Sequence, residues 1–368
     1  MKVLCSDERN EAMKLFTVGP VEMYEHTLQI AGTQVPYFRN ESFSRTFLEC
    51  ERLFRKSLGC EEDGPQRLIM LTSSGTGAME AAVMNCLSSE DNAIVVNGGT
   101  FGRRFMELLG RHGVPSTVVE VPVKSDLTEE MLEASYDGSQ TALLVNLDET
   151  SLGKLYDLEM LAGFCKAHNL LFVVDAVSAF LCDKIDMESA GIDVLLTGSQ
   201  KALSLQPGLS LLMLSERAQE RVSKTDCPCM YFDFKEYLSN GVRGQTPFTP
   251  AVGIAYELLD MLRAIDKVGV ASIVSDMHER AEDFRGRVNA AGLPLSVPGY
   301  SLSNALTPIV FDHGGATDCR FELERRFGFV VNPCGGEAAD RMLRIAHMGN
   351  HTIDDNRQMV EALVAVLA

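Results

Sequence analysis

Seven short apolar runs alternate with helical patterns over the first 214 residues, and this alternation restricts the fold more than any other feature of the chain. The helical patterns cover residues 77–87, 103–111 and 158–168. Several runs are apolar throughout, as expected of strands that are buried on both faces of a sheet. Alternating strands and helices predict an α/β fold with a mostly parallel seven-stranded sheet flanked by helices. The runs are residues 68–71, 93–97, 117–121, 142–145, 170–174, 194–196 and 210–214.

The chain has 368 residues, which is more than one compact core usually holds. Beyond residue 214 the alternation stops, and Thr249-Pro250 opens a long helical pattern that a second helical pattern follows. We therefore predict a large domain over residues 15–269 and a smaller C-terminal α+β domain over residues 270–368. Residues 1–14 are charged and lack periodicity, which predicts an N-terminal arm.

The charge and the cysteine pattern restrict the partners and the compartment. With 51 acidic and 33 basic residues the net charge is −18, which argues against nucleic acid and anionic membrane partners. The N-terminus becomes polar too early for a secretory signal, and no apolar run is long enough to span a bilayer. The ten cysteines form no repeating framework, which favours reduced thiols in the cytoplasm. Cys227 and Cys229 are the only close pair, so we predict a loop there and no metal site.

The segment Ser73-Ser74-Gly75-Thr76-Gly77 follows a predicted strand and opens a predicted helix. Small residues allow a ligand to approach the backbone closely, and the free N–H groups of a helix start bind phosphate. Ser74 and Thr76 can add hydroxyl groups. An ordinary helix cap explains the same residues, since Ser and Thr are common before helices. No lysine follows the second glycine, so the segment is not a Walker loop.

Asp175 and Lys201 each follow a predicted buried strand, at the edge of the sheet where α/β proteins bind ligands. Alone, the aspartate is explained by a helix cap and the lysine by solvent exposure. Together with a phosphate-binding segment they match the needs of pyridoxal phosphate. A lysine amine forms an imine with its aldehyde, and a carboxylate keeps its ring nitrogen protonated. Partial burial lowers the pKa of such a lysine and yields the neutral amine.

Four motifs in this order resemble those of the class V aminotransferases of the pyridoxal-phosphate fold-type I superfamily. The resemblance spans nearly the whole chain and is closest to the alanine–glyoxylate, serine–glyoxylate and 2-aminoethylphosphonate–pyruvate branches. It implies the fold-type I architecture, with the cofactor in the large domain. The motifs are Ser74-Gly75-Thr76-Gly77, Glu149-Thr150-Ser151-Leu152-Gly153, Val174-Asp175-Ala176-Val177-Ser178 and Gly198-Ser199-Gln200-Lys201-Ala202-Leu203 with Pro207-Gly208.

Carried over by position, the resemblance implies that Lys201 forms the imine and that Asp175 contacts the ring nitrogen. It places Phe101 against one face of the ring, although a core position in the following helix would also explain this residue. Thr249 corresponds to a residue that reaches the phosphate of the neighbouring subunit, which implies a homodimer with shared sites. The remaining implied cofactor-binding residues are Ser74, Gly75, Thr76 and Gln200 at the phosphate, Thr150 at the ring hydroxyl and Val177 at the other face of the ring.

The resemblance also implies substrate-binding residues. Arg344 corresponds to the arginine that grips a substrate carboxylate, for which a guanidinium provides two parallel hydrogen bonds; a surface ion pair is the alternative. Gly19 belongs to a Gly-Pro turn at the substrate entrance, and Arg39 is a candidate for a second anionic group. Many relatives have a histidine where this chain has Leu147, so the polar partner of the cofactor hydroxyl is either missing or supplied by Asn146.

The resulting expectation is a ping-pong transamination. A small amino donor (alanine, serine or 2-aminoethylphosphonate) passes its amino group to a small keto acid, either pyruvate or glyoxylate. A cofactor-dependent lyase such as a cysteine desulfurase is one alternative, because Cys334 lies ten residues before Arg344. A non-catalytic cofactor-binding module and a soluble α/β protein with chance motifs are the others.

Overall fold

A seven-stranded sheet forms the centre of the larger part of the chain, in a computed structural model that describes residues 13–367. The strand order is β2-β10-β9-β8-β5-β3-β4. β10 runs antiparallel to both of its neighbours, and all other neighbouring pairs are parallel. The mostly parallel seven-stranded sheet predicted from the sequence is confirmed. Its strands are β2 (Arg67–Leu71), β3 (Ala93–Asn97), β4 (Ser116–Glu120), β5 (Ala142–Asn146), β8 (Leu171–Asp175), β9 (Val194–Gly198) and β10 (Ser210–Leu214).

Helices cover both faces of this sheet, which explains why several of its strands are almost entirely apolar. In β8, Phe172 and Val174 join one buried cluster, whereas Leu171 and Val173 join the cluster on the opposite face. The helices on each face therefore bury alternate side chains of the same strand. The helices of this part are α1 (Glu25–Ala31), α2 (Glu41–Ser57), α3 (Gly75–Cys86), α4 (Thr100–Arg111), α5 (Glu129–Glu133), α6 (Leu158–His168), α7 (Glu216–Lys224), α8 (Phe234–Gly241) and α9 (Val252–Val268).

A second, five-stranded sheet has the order β1-β13-β14-β12-β11. Its core includes Phe284, Leu343 and Met359. β1 comes from the N-terminal end of the chain and pairs parallel with β13, so the second sheet uses both ends of the sequence. The elements are β1 (Lys14–Phe16), α10 (Val270–Ala290), β11 (Leu295–Ser296), β12 (Leu306–Phe311), α11 (Ala316–Phe327), β13 (Phe329–Pro333), a 3-10 turn (Gly336–Ala338), β14 (Met342–Ala346) and α12 (Ile353–Leu367).

Gly269 separates α9 from α10, at the position where the sequence predicts the domain boundary. The division at residues 269 and 270 stays a prediction, as does the arm. Residues 1–12 of the predicted arm lie outside the described part of the chain, and Lys14 begins β1.

The carboxyl ends of the parallel strands position the polar residues discussed below. Asn146 ends β5 and lies opposite Asp175, the last residue of β8. Asp175 in turn lies opposite Leu196 of β9. A small two-stranded sheet, β6 (Asp148–Glu149) and β7 (Lys154–Leu155), extends the same edge. None of the helices within residues 13–367 has the length and apolar character needed to span a bilayer.

Candidate active site

Asp175 is held at the end of β8 by two hydrogen bonds. The backbone N–H of Val177 donates to one carboxylate oxygen at 2.8 Å, and the Nδ2 of Asn146 donates to the other. Burial raises the pKa of Asp175 to about 6, against the lowering effect of both hydrogen bonds and of Lys201. The carboxylate is thus fixed in orientation, and a cationic group placed beside it would stabilise its charged form.

Lys201 follows β9 by three residues and is also buried. Its Nζ donates to the backbone carbonyl of Val18. Burial lowers the pKa of Lys201 to about 8, and the charge of the Asp175 carboxylate opposes this shift. About a tenth of the amine is therefore neutral at pH 7, far more than for a lysine with an ordinary pKa, as a nucleophilic lysine requires.

Gly19 packs directly on the stem of Lys201. A Cβ atom at Gly19 would lie 3.0 Å from the Lys201 Cδ and 3.1 Å from the Gln200 carbonyl oxygen, and its φ of +131° is rarely adopted by residues with a side chain. The N-terminal turn and the lysine loop are thereby in contact, whereas the predicted place of Gly19 at the substrate entrance stays a prediction.

The N-terminus of α3 has the properties of an anion site. Ser74 is the N-cap residue, but its side chain makes no capping bond, so the amides of the first turn at Gly75, Thr76 and Gly77 have no cap acceptor. The Oε1 of Gln200 is buried without a partner among residues 13–367, but as an acceptor it adds no donor for an anion. Unpaired N–H groups at the start of a 12-residue helix favour a phosphate group.

Gly75 packs so closely against Val177 that a side chain does not fit there. A Cβ at Gly75 would lie 2.8 Å from the Val177 Cγ2. On the neighbouring loop, the Thr150 hydroxyl is 2.7 Å from the Ser178 hydroxyl, and both are buried. Gly75, Val177 and Thr150 therefore lie around the end of β8 that carries Asp175.

Phe101 lies in the first turn of α4, and Glu149 holds that turn. The Glu149 carboxylate accepts hydrogen bonds from the N–H groups of Phe101 at 3.1 Å and Gly102 at 3.0 Å, and from the Ser151 hydroxyl. A carboxylate at a helix N-terminus is stabilised by the unpaired amides and the helix dipole. Glu149 belongs to one of the four family motifs, but no local pattern in the sequence indicates that it caps α4.

Arg344 lies on β14 of the second sheet and reaches the loop after β5. Its guanidinium donates to the Thr150 carbonyl at 3.2 Å and to the Pro333 carbonyl at 2.7 Å. Its Nε is buried and lacks a partner in the described part of the chain. Its charge also lowers the pKa of Lys201, which places it near the amine.

Arg39 and Thr249 lie by a different loop. The Arg39 guanidinium donates to the Thr246 carbonyl at 2.6 Å and to the Pro247 carbonyl at 2.8 Å, so it stabilises the loop before α9. Thr249 is exposed at the end of this loop. No contact within residues 13–367 joins either residue to Lys201 or Asp175, and their predicted roles stay predictions.

Two residues near the site were not predicted from the sequence. Asp148 is 3% exposed, and both of its carboxyl oxygens lack a partner among the described residues. Burial raises its pKa well above the ordinary value, and Asp183 raises it further. Arg104 donates to the Thr76 hydroxyl at 2.8 Å. Asp148 stands directly before a family motif, whereas nothing in the sequence distinguishes Arg104 from its neighbour Arg103.

Three cysteines bear on the alternative functions: Cys334 on a cysteine desulfurase, and Cys227 and Cys229 on a metal site. The Cys334 thiol is buried beside the Ser151 carbonyl, at 3.7 Å, and burial raises its pKa. A thiol in this environment is a poor thiolate nucleophile. Cys227 and Cys229 lie in a loop before α8, as predicted.

The fold and the site together define a fold-type I enzyme that uses pyridoxal phosphate: a lysine and an aspartate meet at the carboxyl edge of the sheet, beside an unpaired helix N-terminus. Residues 31–348 match the family described as aminotransferase class-V, and the protein belongs to this family. It is therefore a pyridoxal-phosphate-dependent aminotransferase.

The relatives of this chain carry different names, including a hydrogenase subunit and aminotransferases. A protein named soluble hydrogenase, small subunit, from Synechococcus sp. is 30% identical over 306 residues, which cover 82% of this chain and 80% of that protein. L-aspartate–glyoxylate aminotransferase from Paracoccus denitrificans is 28% identical over 350 residues, which cover 92% and 87%. The crystal structure of an alanine–glyoxylate aminotransferase from Nostoc sp. aligns with a TM-score of 0.92 at 24% identity, covering 100% of this chain and 98% of that one. This structural likeness establishes the fold.

Proposed function

We propose that the protein catalyses a ping-pong transamination between a small amino donor and a small keto acid. Alanine, serine or 2-aminoethylphosphonate is the donor, and pyruvate or glyoxylate is the acceptor. Relatives named as L-aspartate–glyoxylate and alanine–glyoxylate aminotransferases support glyoxylate as the acceptor. The observation that carries the proposal is the buried pair Lys201 and Asp175 at one edge of the sheet, with Arg344 beside it.

The residues around the pair fit the cofactor. Unpaired amides at Gly75 and Thr76 suit its phosphate, with the hydroxyls of Ser74 and Thr76 and the side chain of Gln200 nearby. Val177, which packs against Gly75, is assigned to one face of the ring. Phe101 is assigned to the other face of the ring and Thr150 to its hydroxyl, as the family pattern suggests. When bound, the cofactor supplies an aldehyde and an electron-withdrawing ring.

Lys201 is the proposed acid and base of the reaction. Its Nζ, with a pKa lowered to about 8, can accept a proton from the donor α-carbon and deliver it again at the next step. Gly19 and the Val18 carbonyl restrict the stem and the amine of this lysine. Such restriction keeps the proton-carrying nitrogen in one place.

Asp175 is proposed to remain ionised beside the ring nitrogen. The Val177 amide and the Asn146 side chain both donate to its oxygens, which favours the charged carboxylate over the neutral acid. A fixed negative charge at this position stabilises positive charge opposite it without reorganisation during the reaction.

Arg344 is proposed to bind the carboxylate of both substrates. Carbonyl groups of Thr150 and Pro333 hold its guanidinium, and no carboxylate of residues 13–367 pairs with it. The buried and unpartnered Nε leaves a directed donor for a substrate oxygen. Gly19 is proposed to line the entrance of this pocket. Arg39, which stabilises the loop before α9, is proposed to bind a second anionic group of the substrate.

A homodimer is part of the proposal. Thr249 is exposed at the end of a loop that Arg39 holds in place, so its side chain is free to meet the cofactor phosphate of a second subunit. The exposed apolar side chains of Tyr37 and Met230 support burial against such a subunit.

The proposal is tested with Lys201→Ala and a panel of substrates. We expect the variant to lose turnover and the visible absorbance of the bound cofactor, whereas Lys184→Ala, at an exposed lysine, keeps both. The panel combines alanine, serine and 2-aminoethylphosphonate with pyruvate, glyoxylate and 2-oxoglutarate. Turnover by Lys201→Ala, or amino transfer only to 2-oxoglutarate, would contradict the proposal.

A further inference from the structure

Arg104 contacts two residues that belong to different parts of the proposed cofactor site. Its Nη1 donates to the Thr76 hydroxyl oxygen at 2.8 Å, across from α4 to the first turn of α3. Its guanidinium carbon also lies 4.7 Å from the centroid of the Phe101 ring. Phe101 and Arg104 are three residues apart on α4, and side chains at this spacing share one face of a helix.

The contact with Thr76 determines which way its hydroxyl can donate. A hydroxyl group has one hydrogen and two acceptor positions, and Arg104 occupies one of the acceptor positions. The hydroxyl hydrogen is consequently free for an acceptor on the side away from the guanidinium. The unpaired amides of the α3 N-terminus lie in the same turn, so an anion there would receive both kinds of donor.

The contact with Phe101 fixes the guanidinium against an aromatic face. Cations over aromatic rings are attracted by the ring quadrupole, and the planar guanidinium stacks better than an ammonium group. Within residues 13–367 no carboxylate forms an ion pair with Arg104, so no acidic side chain of these residues neutralises its positive charge. A half-buried and unneutralised cation beside a phosphate-binding turn raises the affinity of that turn for an anion.

We propose that Arg104 is a positioning residue that links the phosphate-binding turn to the aromatic ring of Phe101. It orients the Thr76 hydroxyl towards the phosphate and fixes Phe101 for contact with the cofactor ring. The inference rests on the proposed placement of the phosphate at the α3 N-terminus. A lysine cannot replace Arg104, since one ammonium group does not both stack on the ring and donate at this angle.

The test measures binding of two compounds to the apoprotein by calorimetry: pyridoxamine 5'-phosphate and pyridoxamine, which lacks the phosphate. We expect Arg104→Met to weaken the binding of the phosphorylated compound by about tenfold or more, the effect of losing a hydrogen bond to a charged group. Binding of pyridoxamine should change much less. Arg104→Lys should lose most of the same affinity, and Arg103→Met, at the exposed neighbouring arginine, should lose none.

A double-mutant cycle with Thr76→Val separates the linkage from a general loss of charge. In the Thr76→Val background, Arg104→Met should cost less affinity than in the wild type, because the shared hydroxyl is already absent. Thermal melting of each apoprotein checks folding, and Arg104→Lys serves if Arg104→Met does not fold.

Two results would overturn the inference while leaving the proposed function intact: unchanged affinity of both Arg104 variants for pyridoxamine 5'-phosphate, or an equal loss for the two compounds. A wild-type apoprotein that binds the two compounds equally well would instead overturn the placement of the phosphate, and the inference with it.

Discussion

The side-chain amide of Asn146 donates to the carboxylate of Asp175 across two neighbouring strand ends. From the sequence, the polar partner of the cofactor hydroxyl is either missing or supplied by Asn146, and this stays a prediction. In the structure the Asn146 Nδ2 donates to the aspartate, and its Oδ1 has no partner among residues 13–367. Because the two residues end adjacent parallel strands in register, their side chains meet at the carboxyl edge of the sheet. The contact makes Asn146 a determinant of the charge on Asp175.

Replacing Asn146 with leucine should shift the pH dependence of catalysis. The pKa of Asp175, about 6 without a bound cofactor, should rise further because one hydrogen bond to the carboxylate is lost. Asp175 is protonated below its pKa, so activity should decline at a higher pH than in the wild type. We expect the ratio of kcat/KM at pH 8 to that at pH 6 to increase by about tenfold. Asn289→Leu, at an exposed position, is the control, and an unshifted acid limb in Asn146→Leu would contradict this role.

Gly19→Ala should impair both folding stability and cofactor binding. The new Cβ would meet the Lys201 stem at 3.0 Å, in a backbone conformation that favours glycine. We expect a loss of about 1–3 kcal/mol in the free energy of unfolding and a lower content of bound cofactor. The matched control is Gly163→Ala in α6, where a Cβ meets nothing within 4 Å and the helix gains about 0.5–1 kcal/mol. Thermal denaturation and cofactor absorbance measure the two effects, and a fully loaded, equally stable Gly19→Ala would refute the contact.

Asp148→Asn should change how the stability of the apoprotein depends on pH. Burial raises the pKa of Asp148 well above its ordinary value, so the folded state holds a proton that the unfolded chain releases at lower pH. Its contribution to stability is present in acid and is lost as the pH rises through the raised pKa. Asparagine cannot ionise, so the variant avoids this loss. The melting temperature of the variant minus that of the wild type should therefore be larger at pH 9 than at pH 5.

Asp63→Asn, at an exposed aspartate, should leave that pH dependence unchanged. If Asp148→Asn and the wild type lose stability in parallel between pH 5 and pH 9, the Asp148 carboxyl is ionised throughout and its predicted state is wrong.

Arg344→Lys should weaken the binding of the keto acid. Lysine keeps the positive charge but loses the planar pair of donors that the Thr150 and Pro333 carbonyls hold in place. We expect KM for the keto acid to rise by about tenfold or more, with a smaller change in kcat. Arg341→Lys, at an exposed position before the same strand, is the control. An unchanged KM in Arg344→Lys would remove Arg344 from the proposed site.

The strands of the central sheet were predictable because the residues within each strand indicate that it is buried. A strand covered by helices on both faces is apolar at most positions, and the runs at residues 93–97 and 210–214 have the bounds of β3 and β10. The strand order and the reversed direction of β10 were not predictable, since no local pattern encodes which strand becomes a neighbour. The meeting of Asp175 and Lys201 followed from a general rule, because Asp175 ends β8 and Lys201 follows β9 by three residues, at the same edge of the sheet.

Thus the sequence by itself determined the α/β class, the buried strands and the family motifs, all of which depend on residues close together along the chain. Only the tertiary structure decided that Gly19 restricts Lys201, that Arg104 reaches Thr76 and that Asp148 is buried without a partner among the described residues. These contacts join residues that lie far apart in the chain. Such contacts depend on strand order and on how helices cross the sheet, and the free energy that selects this arrangement is shared among the whole core rather than stored in any short segment.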